Sequence, residues 1–460
     1  MQTVKEYFDS IKGKRVCFIG AGISHRDLIP RFAEQGAEVT LCDRRDEASL
    51  GEFAETLRSL GVKLHLGENY LDSLCDADIV FRTPGVDYTK PEIQAAVAAG
   101  VTVTSEIETF FDLCPCRTVG VTGSDGKTTT TTLTAKILEA AGYRVHLGGN
   151  IGFPLLPRID DVRPDDIVVA ELSSFQLISM RRSPDFSLVT NVTPNHLDHH
   201  KDMREYIDAK RNILLHQSEN GVAVLFADND VTQEMRADVR GELRQFSWHP
   251  VEHGTFIQDN ILYKSIHGSV SELMPLNALH LPGEHNKINI AGAAALTMSL
   301  ADDKYIAETC ESFTGVEHRL ELVRELHGAK WYNDSIGTTP TRTIAGLRSY
   351  DRKLILIAGG YDKHVSYAPL APEILAHVKH LILCGPTAVP IRTEVEKLLS
   401  SPSALPIDDV ENLPAAVERA AQVAGEGDIV LFSPASASFD AYPNFEKRGE
   451  HFKKLVGELK

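Results

Sequence analysis

At roughly 150 residues per domain, a chain of 460 residues points to about three domains, because one core rarely grows past roughly 250 to 300 residues. An apolar fraction of 43% with 24% charged residues is globular, and it excludes disordered, collagen-like and low-complexity classes. The 47 Lys and Arg against 64 Asp and Glu leave a net charge of −17, so nucleic acid and anionic membranes are not expected partners.

The opening MQTVKEYFDSIKGKR has no apolar leader, and no stretch reaches the roughly 18 apolar residues of a spanning helix, so a soluble cytoplasmic protein is expected. Seven scattered cysteines, at 17, 42, 75, 114, 116, 310 and 384, are expected to be reduced core thiols. From Arg15 the chain alternates short apolar runs with helices: RVCFIG, a helix to Gln35, AEVTLCD, a helix to Leu60, ADIVFRTPG and PEIQAAVAAG. That alternation predicts a parallel-sheet domain. A polar helical link, SEIETFFDL, leads to a second α/β unit of RTVGVTG, a Thr-rich helix, DIVVAEL, FSLVTNV and GVAVLFAD. QFSW, TFIQ and ILYKS predict short antiparallel strands appended to it, followed by the helix GEHNKINIAGAAALTMSL. After FTGVEHR a third alternating series runs from AKWYNDS to a final amphipathic helix. The expected class is α/β, in three domains covering 1–112, 113–315 and 316–460.

Parallel sheets present ligands at the carboxyl ends of their strands, so motifs that follow strands carry the chemistry. In VTGSDGKTTTTTL, Gly123 and Gly126 let backbone N–H groups turn inward around phosphate, Lys127 adds a point charge, and the Thr128 hydroxyl suits Mg²⁺. Val121 departs from the regular G-x(4)-GK[ST] spacing, leaving a shorter TGxxGKT form. Glu171, directly after DIVVA, is either placed to ligate Mg²⁺, given the phosphate loop one crossover upstream, or a solvated strand terminus or helix cap. In NVTPNHLDHHKDMREYIDAK, His196, Asp198, His199 and His200 either bind metal or form a polar surface loop; His196 draws most interest because it lies just beyond a strand. Lys210 shares the apolar stripe of the following helix with Tyr206, Ile213 and Leu214. It either snorkels to solvent or loses its charge through desolvation, and a neutral amine can take up CO₂ as a carbamate.

FIGAGISHRD followed by Asp43 is half a dinucleotide fingerprint, with His25 where a third glycine would stand. Near the carboxyl terminus, EHR (317–319), NDS (333–335), GGYDK (359–363) and SPASASFDAYPNFEKRGEHF (433–452) place Asp334, Lys363 and Ser438 along one expected sheet edge.

In order along nearly the whole chain, GAG with Asp43, TPG, TGSDGKTT, GGNIG, ELSSFQL, NVTPNHLD, YIDAK, GEHNKIN, FTGVEHR, NDS, GGYDK and SPASASFDAYPNFEKRG resemble the Mur ligase family. These are ATP-dependent amide-bond ligases that add amino acids to the UDP-N-acetylmuramoyl peptide of bacterial wall synthesis. The SFD-x(3)-NFEKRG ending points to the D-glutamate-adding branch. The resemblance implies a Rossmann-like first domain, a central P-loop ATPase-like domain with appended antiparallel strands, and a Rossmann-like last domain. It implies D-glutamate addition to UDP-N-acetylmuramoyl-L-alanine through an acyl phosphate, by a monomer using ATP and two Mg²⁺, with a third domain that closes. A ligase for another acceptor, or a P-loop phosphotransferase, is the alternative.

Residue by residue, it implies that Gly22, Ile23, Ser24, Asp43, Arg45 and Gly85 hold the UDP end and that Asn150 and His196 lie nearer the reacting centre. Gly123, Ser124, Asp125, Gly126, Lys127, Thr128, Thr129, Asn289, Arg319 and Asp334 contact the nucleotide. Thr128, Glu171, His196 and a carbamylated Lys210 hold metal, with Lys127, His196 and Lys210 catalytic. Lys363, Ser438, Phe439 and Phe445 form the amino-acid pocket. The chain departs from the family at Ile336, where Lys is common after NDS, and at Tyr361 and Asp362, where Asp-Gly commonly precedes Lys363.

Overall fold

The computed structural model of the chain describes residues 2–194, 200–277, 279–281, 283–362, 365–399 and 401–460. It divides into two compact units, 1–313 and 314–460. In the first unit, β1 (Arg15–Ile19), β2 (Glu38–Asp43), β3 (Lys63–Leu66), β4 (Ile79–Arg82) and β5 (Thr102–Thr104) form a parallel sheet in the order β3-β2-β1-β4-β5. Strand order reverses between β1 and β4, and there the carboxyl ends open a crevice. RVCFI is buried at all but its first residue, as expected of a strand covered on both faces.

The second sheet contains β6 (Arg117–Thr122), β7 (Val145–Gly149), β8 (Ile167–Glu171), β9 (Phe186–Val189), β10 (Val222–Phe226), β11 (Glu242–Ser247), β12 (Gly254–Gln258), β13 (Ile261–Ile266) and β14 (Ser269–Pro275). Its order, β14-β13-β12-β11-β10-β9-β6-β8-β7, puts β6 and its loop between β8 and β9. The expected antiparallel extension is present in β12, β13 and β14, which continue the same sheet. QFSW differs: β11 runs parallel to both neighbours.

SEIETFFDL is a helix, Glu106–Leu113, but not a polar link. Its N-cap is the Ser105 hydroxyl, which accepts from Glu108 N, and Glu106, Ile107, Glu108, Phe110 and Phe111 are all buried. The two phenylalanines join a hydrophobic core that also holds Phe18 of β1 and Val168 of β8. The acidic residues survive burial because each carboxylate accepts a backbone N–H: Glu106 from Leu156 at 2.7 Å and Glu108 from Arg181 at 2.8 Å. Burial raises both carboxyls to about 7. Between its ordinary value of 4.5 and about 7, native Glu106 holds a proton that the unfolded chain has lost, so this contribution to stability falls as pH rises. Glu106→Gln keeps an acceptor for Leu156 N–H and removes the titration. Thermal unfolding of the variant should lose less stability than the native chain between pH 5 and 8, by at most about 3 kcal/mol; parallel curves would refute this.

The second unit has β15 (Glu321–Leu326), β16 (Ala329–Asn333), β17 (Leu354–Ala358), β18 (Val378–Cys384), β19 (Ile407–Val410) and β20 (Ile429–Phe432), in the order β15-β16-β20-β17-β18-β19. β15 is antiparallel to β16, and the other pairings are parallel. The cysteines are free; six are buried, and Cys75, expected in the core, is exposed. Among the described residues no helix is long and apolar enough to cross a membrane.

Candidate functional site

The loop between β6 and the helix Lys127–Ala140 is built from below. Ser124 N donates to Asn191 O (2.8 Å), its hydroxyl lies 3.0 Å from that of Tyr206, and Asp125 N donates to the Asn191 amide oxygen (3.1 Å). The Thr190 hydroxyl donates to Asp125 O (2.6 Å). Two glycines are compulsory: a Cβ on Gly123 would sit 1.8 Å from Thr190 Oγ1, and one on Gly126, with φ +79°, 2.1 Å from Asn289 Oδ1. The second approach seats Asn289 against the loop. The N–H groups of the first helical turn, at Lys127, Thr128 and Thr129, have no partner four residues back within the helix, the arrangement that binds phosphate elsewhere. Lys127 Nζ donates to Gly123 O and Ser124 O, at 2.9 and 2.8 Å.

Beside this loop, Glu171 ends β8 in full burial. One carboxylate oxygen accepts from the Asn150 amide at 2.6 Å, and the other, also buried, has no hydrogen-bond partner among the described residues. An anionic oxygen left so in the interior suits a cation. Asn150 thereby aims the carboxylate, in addition to the substrate contact expected of it.

Lys210, on the helix Met203–Leu215, is 1% exposed, which rules out snorkelling. Its Nζ donates to Gly123 O at 2.7 Å, the same carbonyl that Lys127 uses, and lies 4.6 Å from the Tyr206 ring centroid. Burial, reinforced by the neighbouring Lys127 charge, moves Lys210 well below the ordinary lysine range, with Glu171 opposing. Its neutral amine is therefore the accessible form. His200 is buried, so the surface alternative does not hold for it. Its Nε2 lies 2.9 Å from the Ser174 hydroxyl, its Nδ1 lies 3.4 Å from Glu205, and its ring stacks on Phe175. His196, Asp198 and His199 lie outside the described residues. Among the described residues no group of three His, Cys, Asp or Glu forms a metal cluster.

In the first sheet Asp43, ending β2, accepts from Ala21 N (2.8 Å) and from the Arg45 guanidinium through both oxygens (3.0 and 2.7 Å). It joins the loop after β1 to the loop after β2. Ile23 is 74% exposed at that edge, beside Gly22 and Ser24, and Gly85 follows β4 with open space around it. His25 fills the volume that a third glycine would leave: its ring packs edge-on against Phe18, and its Nδ1 is 3.0 Å from Gly20 O. Burial lowers it to about 4, so it is neutral. Sequence reasoning passed over Arg82, which is buried at the end of β4 and donates to Val86 O (2.8 Å) and Phe175 O (2.6 Å). It couples the first sheet to the ELSSFQL turn. A charged residue closing an apolar strand was the available signal.

In the second unit Asp334 follows β16. It accepts from the Ser433 hydroxyl (2.6 Å) and Leu320 N (3.3 Å), and burial raises its carboxyl to about 7. Arg319 is exposed. Ser438 is buried, whereas Phe439 is 64% exposed and meets the Tyr361 ring edge-on at 5.9 Å. Phe445 opens the last helix, Phe445–Glu458, next to His318. The residue that organises these loops was also missed: buried Arg448 donates to Ser335 O (2.8 Å), Ser436 O (3.0 Å) and Ala437 O (2.7 Å). Lys363 lies outside the described residues.

Comparison with known proteins bears on this arrangement. Residues 14–105 match the Mur ligase MurD-like N-terminal domain, 121–297 the Mur ligase middle domain, and 318–436 the Mur ligase glutamate ligase domain. The chain is 47% identical to the UDP-N-acetylmuramoylalanine–D-glutamate ligase of Acetivibrio thermocellus, over 99% of each chain. It is 45% identical to that of Clostridium novyi, over 100% of each. Its fold is similar to the UDP-N-acetylmuramate–alanine ligase of Thermotoga maritima (TM-score 0.53, 19% identity, 97% of this chain and 100% of that one). It is also similar to MurF of Acinetobacter baumannii (TM-score 0.54, 14% identity, 96% and 94%). With the phosphate loop, the coupled first sheet and the carboxyl-terminal loops all accounted for by these full-length matches, the chain belongs to the Mur ligase family.

Proposed function

We propose that this ATP-dependent ligase joins D-glutamate to the alanyl carboxyl of UDP-N-acetylmuramoyl-L-alanine through an acyl phosphate. In this reading 1–112 hold the uridine diphosphate end, 113–315 hold ATP, and 316–460 hold the acceptor. The observation that carries it is the convergence of Lys127 and Lys210 on one carbonyl of the phosphate loop, beside the unpartnered carboxylate oxygen of Glu171. The curated relatives' names support the choice of substrates.

A carboxylate oxygen is a poor leaving group, so the substrate carboxylate first attacks the γ-phosphorus of ATP, and ADP leaves. The acceptor amine then attacks the acyl carbon, phosphate departs with the former carboxylate oxygen, and the amine loses a proton. Lys127 and the first-turn N–H groups offset the negative charge of nucleotide and carboxylate in the first step. Glu171, the Thr128 hydroxyl, His196 and a carbamylated Lys210 would hold Mg²⁺. When bound, Mg²⁺ supplies charge neutralisation and a template for phosphate and carboxylate oxygens. The carbamate forms when neutral Lys210 Nζ attacks the carbon of CO₂ and releases a proton to water. It replaces a buried neutral amine with an anion facing the cation site.

The test supplies ATP, Mg²⁺ and UDP-N-acetylmuramoyl-L-alanine labelled with ¹⁸O in its carboxyl, with each candidate amino acid in turn. The expected result is one labelled oxygen in the released phosphate and an amide product of the D-glutamate mass. Phosphate free of label, or an amide only with another amino acid, would overturn the proposal.

A further inference from the structure

Arg82 ends β4 immediately before Thr83, Pro84 and Gly85, the turn expected at the uridine diphosphate end of the substrate. Its side chain is buried, and burial lowers the guanidinium to about 10, so it stays charged near neutrality. Its four hydrogen bonds to described residues all end on neutral oxygens. A fifth donor, Nε–H, is buried with no hydrogen-bond partner among the described residues. A buried cation bonded in this way is costly, and stability alone does not call for it.

The fork joins two loops that belong to different sheets. Nη1 donates to Thr83 O (3.3 Å) and Val86 O (2.8 Å), at the two ends of the turn, and Nη2 donates to Phe175 O (2.6 Å) and the Ser179 hydroxyl (3.2 Å). Phe175 lies four residues after Glu171, and the chain between them is held throughout. Leu172 N donates to Val121 O (2.8 Å), Leu172 O accepts from the Thr122 hydroxyl (2.7 Å), and Ser173 caps the helix Ser174–Leu177 with Gln176 reaching back to it. Thr122 ends β6 and leads into the phosphate loop. One guanidinium therefore ties the turn after β4 to the frame that carries Glu171 and the phosphate loop. A planar guanidinium holds two such directions at once, which a lysine ammonium on its flexible stem does not.

We propose that Arg82 is a positioning residue that sets how far the alanyl carboxyl of the UDP substrate reaches toward the γ-phosphorus, by clamping the turn 83–86 to Phe175. This rests on the ligase reading above and adds the residue that fixes the distance between substrate anchor and reacting centre. A substrate gripped at its uridine diphosphate end carries any shift of that grip to its other end. Attack needs the reacting atoms aligned within about 3–3.5 Å, and a displacement of about 1 Å is enough to cost roughly a hundredfold in rate.

Kinetics and calorimetry on the full chain test it, with rates counted per UDP-binding site so that unfolded protein does not enter. Arg82→Lys, which keeps the charge and loses the fork, should lower kcat about tenfold to a hundredfold. The Kd for UDP alone and for a non-hydrolysable ATP analogue should each change less than about twofold, which separates misplacement from lost binding. Ser179→Ala, which removes one acceptor of the fork, should lower kcat about two- to fivefold, and in the Arg82→Lys background it should cost less than it does alone. An unchanged kcat for Arg82→Lys overturns the assignment, as does full additivity of the two changes. A UDP affinity weakened about tenfold or more in Arg82→Lys overturns it in favour of a role in forming the UDP site. If Arg82→Lys does not fold, Ser179→Ala decides, and an unchanged kcat there overturns the assignment. A native chain that yields no D-glutamyl product overturns the ligase reading, and this assignment with it.

Discussion

Lys127→Ala is expected to lower the rate of phosphate release by at least about 10²–10³-fold, the loss typical of removing one preorganised group that stabilises transition-state charge. The lysine sits where the nucleotide phosphates are expected, tethered to Gly123 O and Ser124 O, and the partial charge of the helix amino end beside it cannot replace a full ammonium charge. The loop should survive the change. Its shape depends on Ser124 against Asn191 and Tyr206, on Thr190, and on the two glycines, none of which needs the ammonium. The variant should therefore melt close to the native chain, within about 1 kcal/mol, and should still bind the UDP substrate. Turnover above a tenth of native would remove Lys127 from the chemistry. A large drop in melting temperature would make its role structural.

Lys210→Ala should lose most activity and regain some in added acetate, whose carboxylate can occupy the space left by a carbamate. Native activity should fall when CO₂ is stripped from the buffer, and the variant's should not. Stability provides a second readout with a definite sign. Burial and the Lys127 charge hold native Lys210 well below 10.5, so between its native value and 10.5 the unfolded chain binds the extra proton. Stability contributed by this group accordingly rises with pH toward 10.5. Lys210→Met, which fills similar volume without charge, should flatten that rise and be more stable than the unmodified native chain near neutrality. Full activity of Lys210→Ala without additives would eliminate the carbamate, and an unchanged pH slope for Lys210→Met would eliminate the neutral amine.

The strand, loop and helix that carry the expected phosphate site were legible in the sequence because their pattern is local. Strand, glycines, lysine and helix follow one another within TGSDGKTT, although the final shape of the loop also draws on Thr190, Asn191 and Tyr206. The place of Glu171 at a strand end was legible from the apolar run before it, and its role as a metal ligand belongs to the proposed reading. Lys210 was ambiguous. The helical stripe showed that it faced inward, but whether its amine reached solvent depended on Tyr206, Gly123 and Lys127 closing over it. What Arg82 and Arg448 hold together was not readable, because partners such as Phe175 O and Ser335 O are backbone carbonyls far along the chain, and a carbonyl leaves no mark in a sequence. The strands Lys63–Leu66, Thr102–Thr104, Val145–Gly149 and Ile407–Val410 were passed over because short, half-buried strands carry too few residues for a period to emerge.

By itself the sequence determined the α/β class, the alternation that makes three sheets, and the phosphate loop, since periodicity, glycine placement and helix starts are properties of neighbouring residues. Only the tertiary structure decided that Glu106 and Glu108 are interior, that His200 is buried, and that His25 fills a gap. Each of those outcomes depends on desolvation by, or hydrogen bonds to, groups distant in the chain, and burial is a property of the assembled fold that no local pattern encodes.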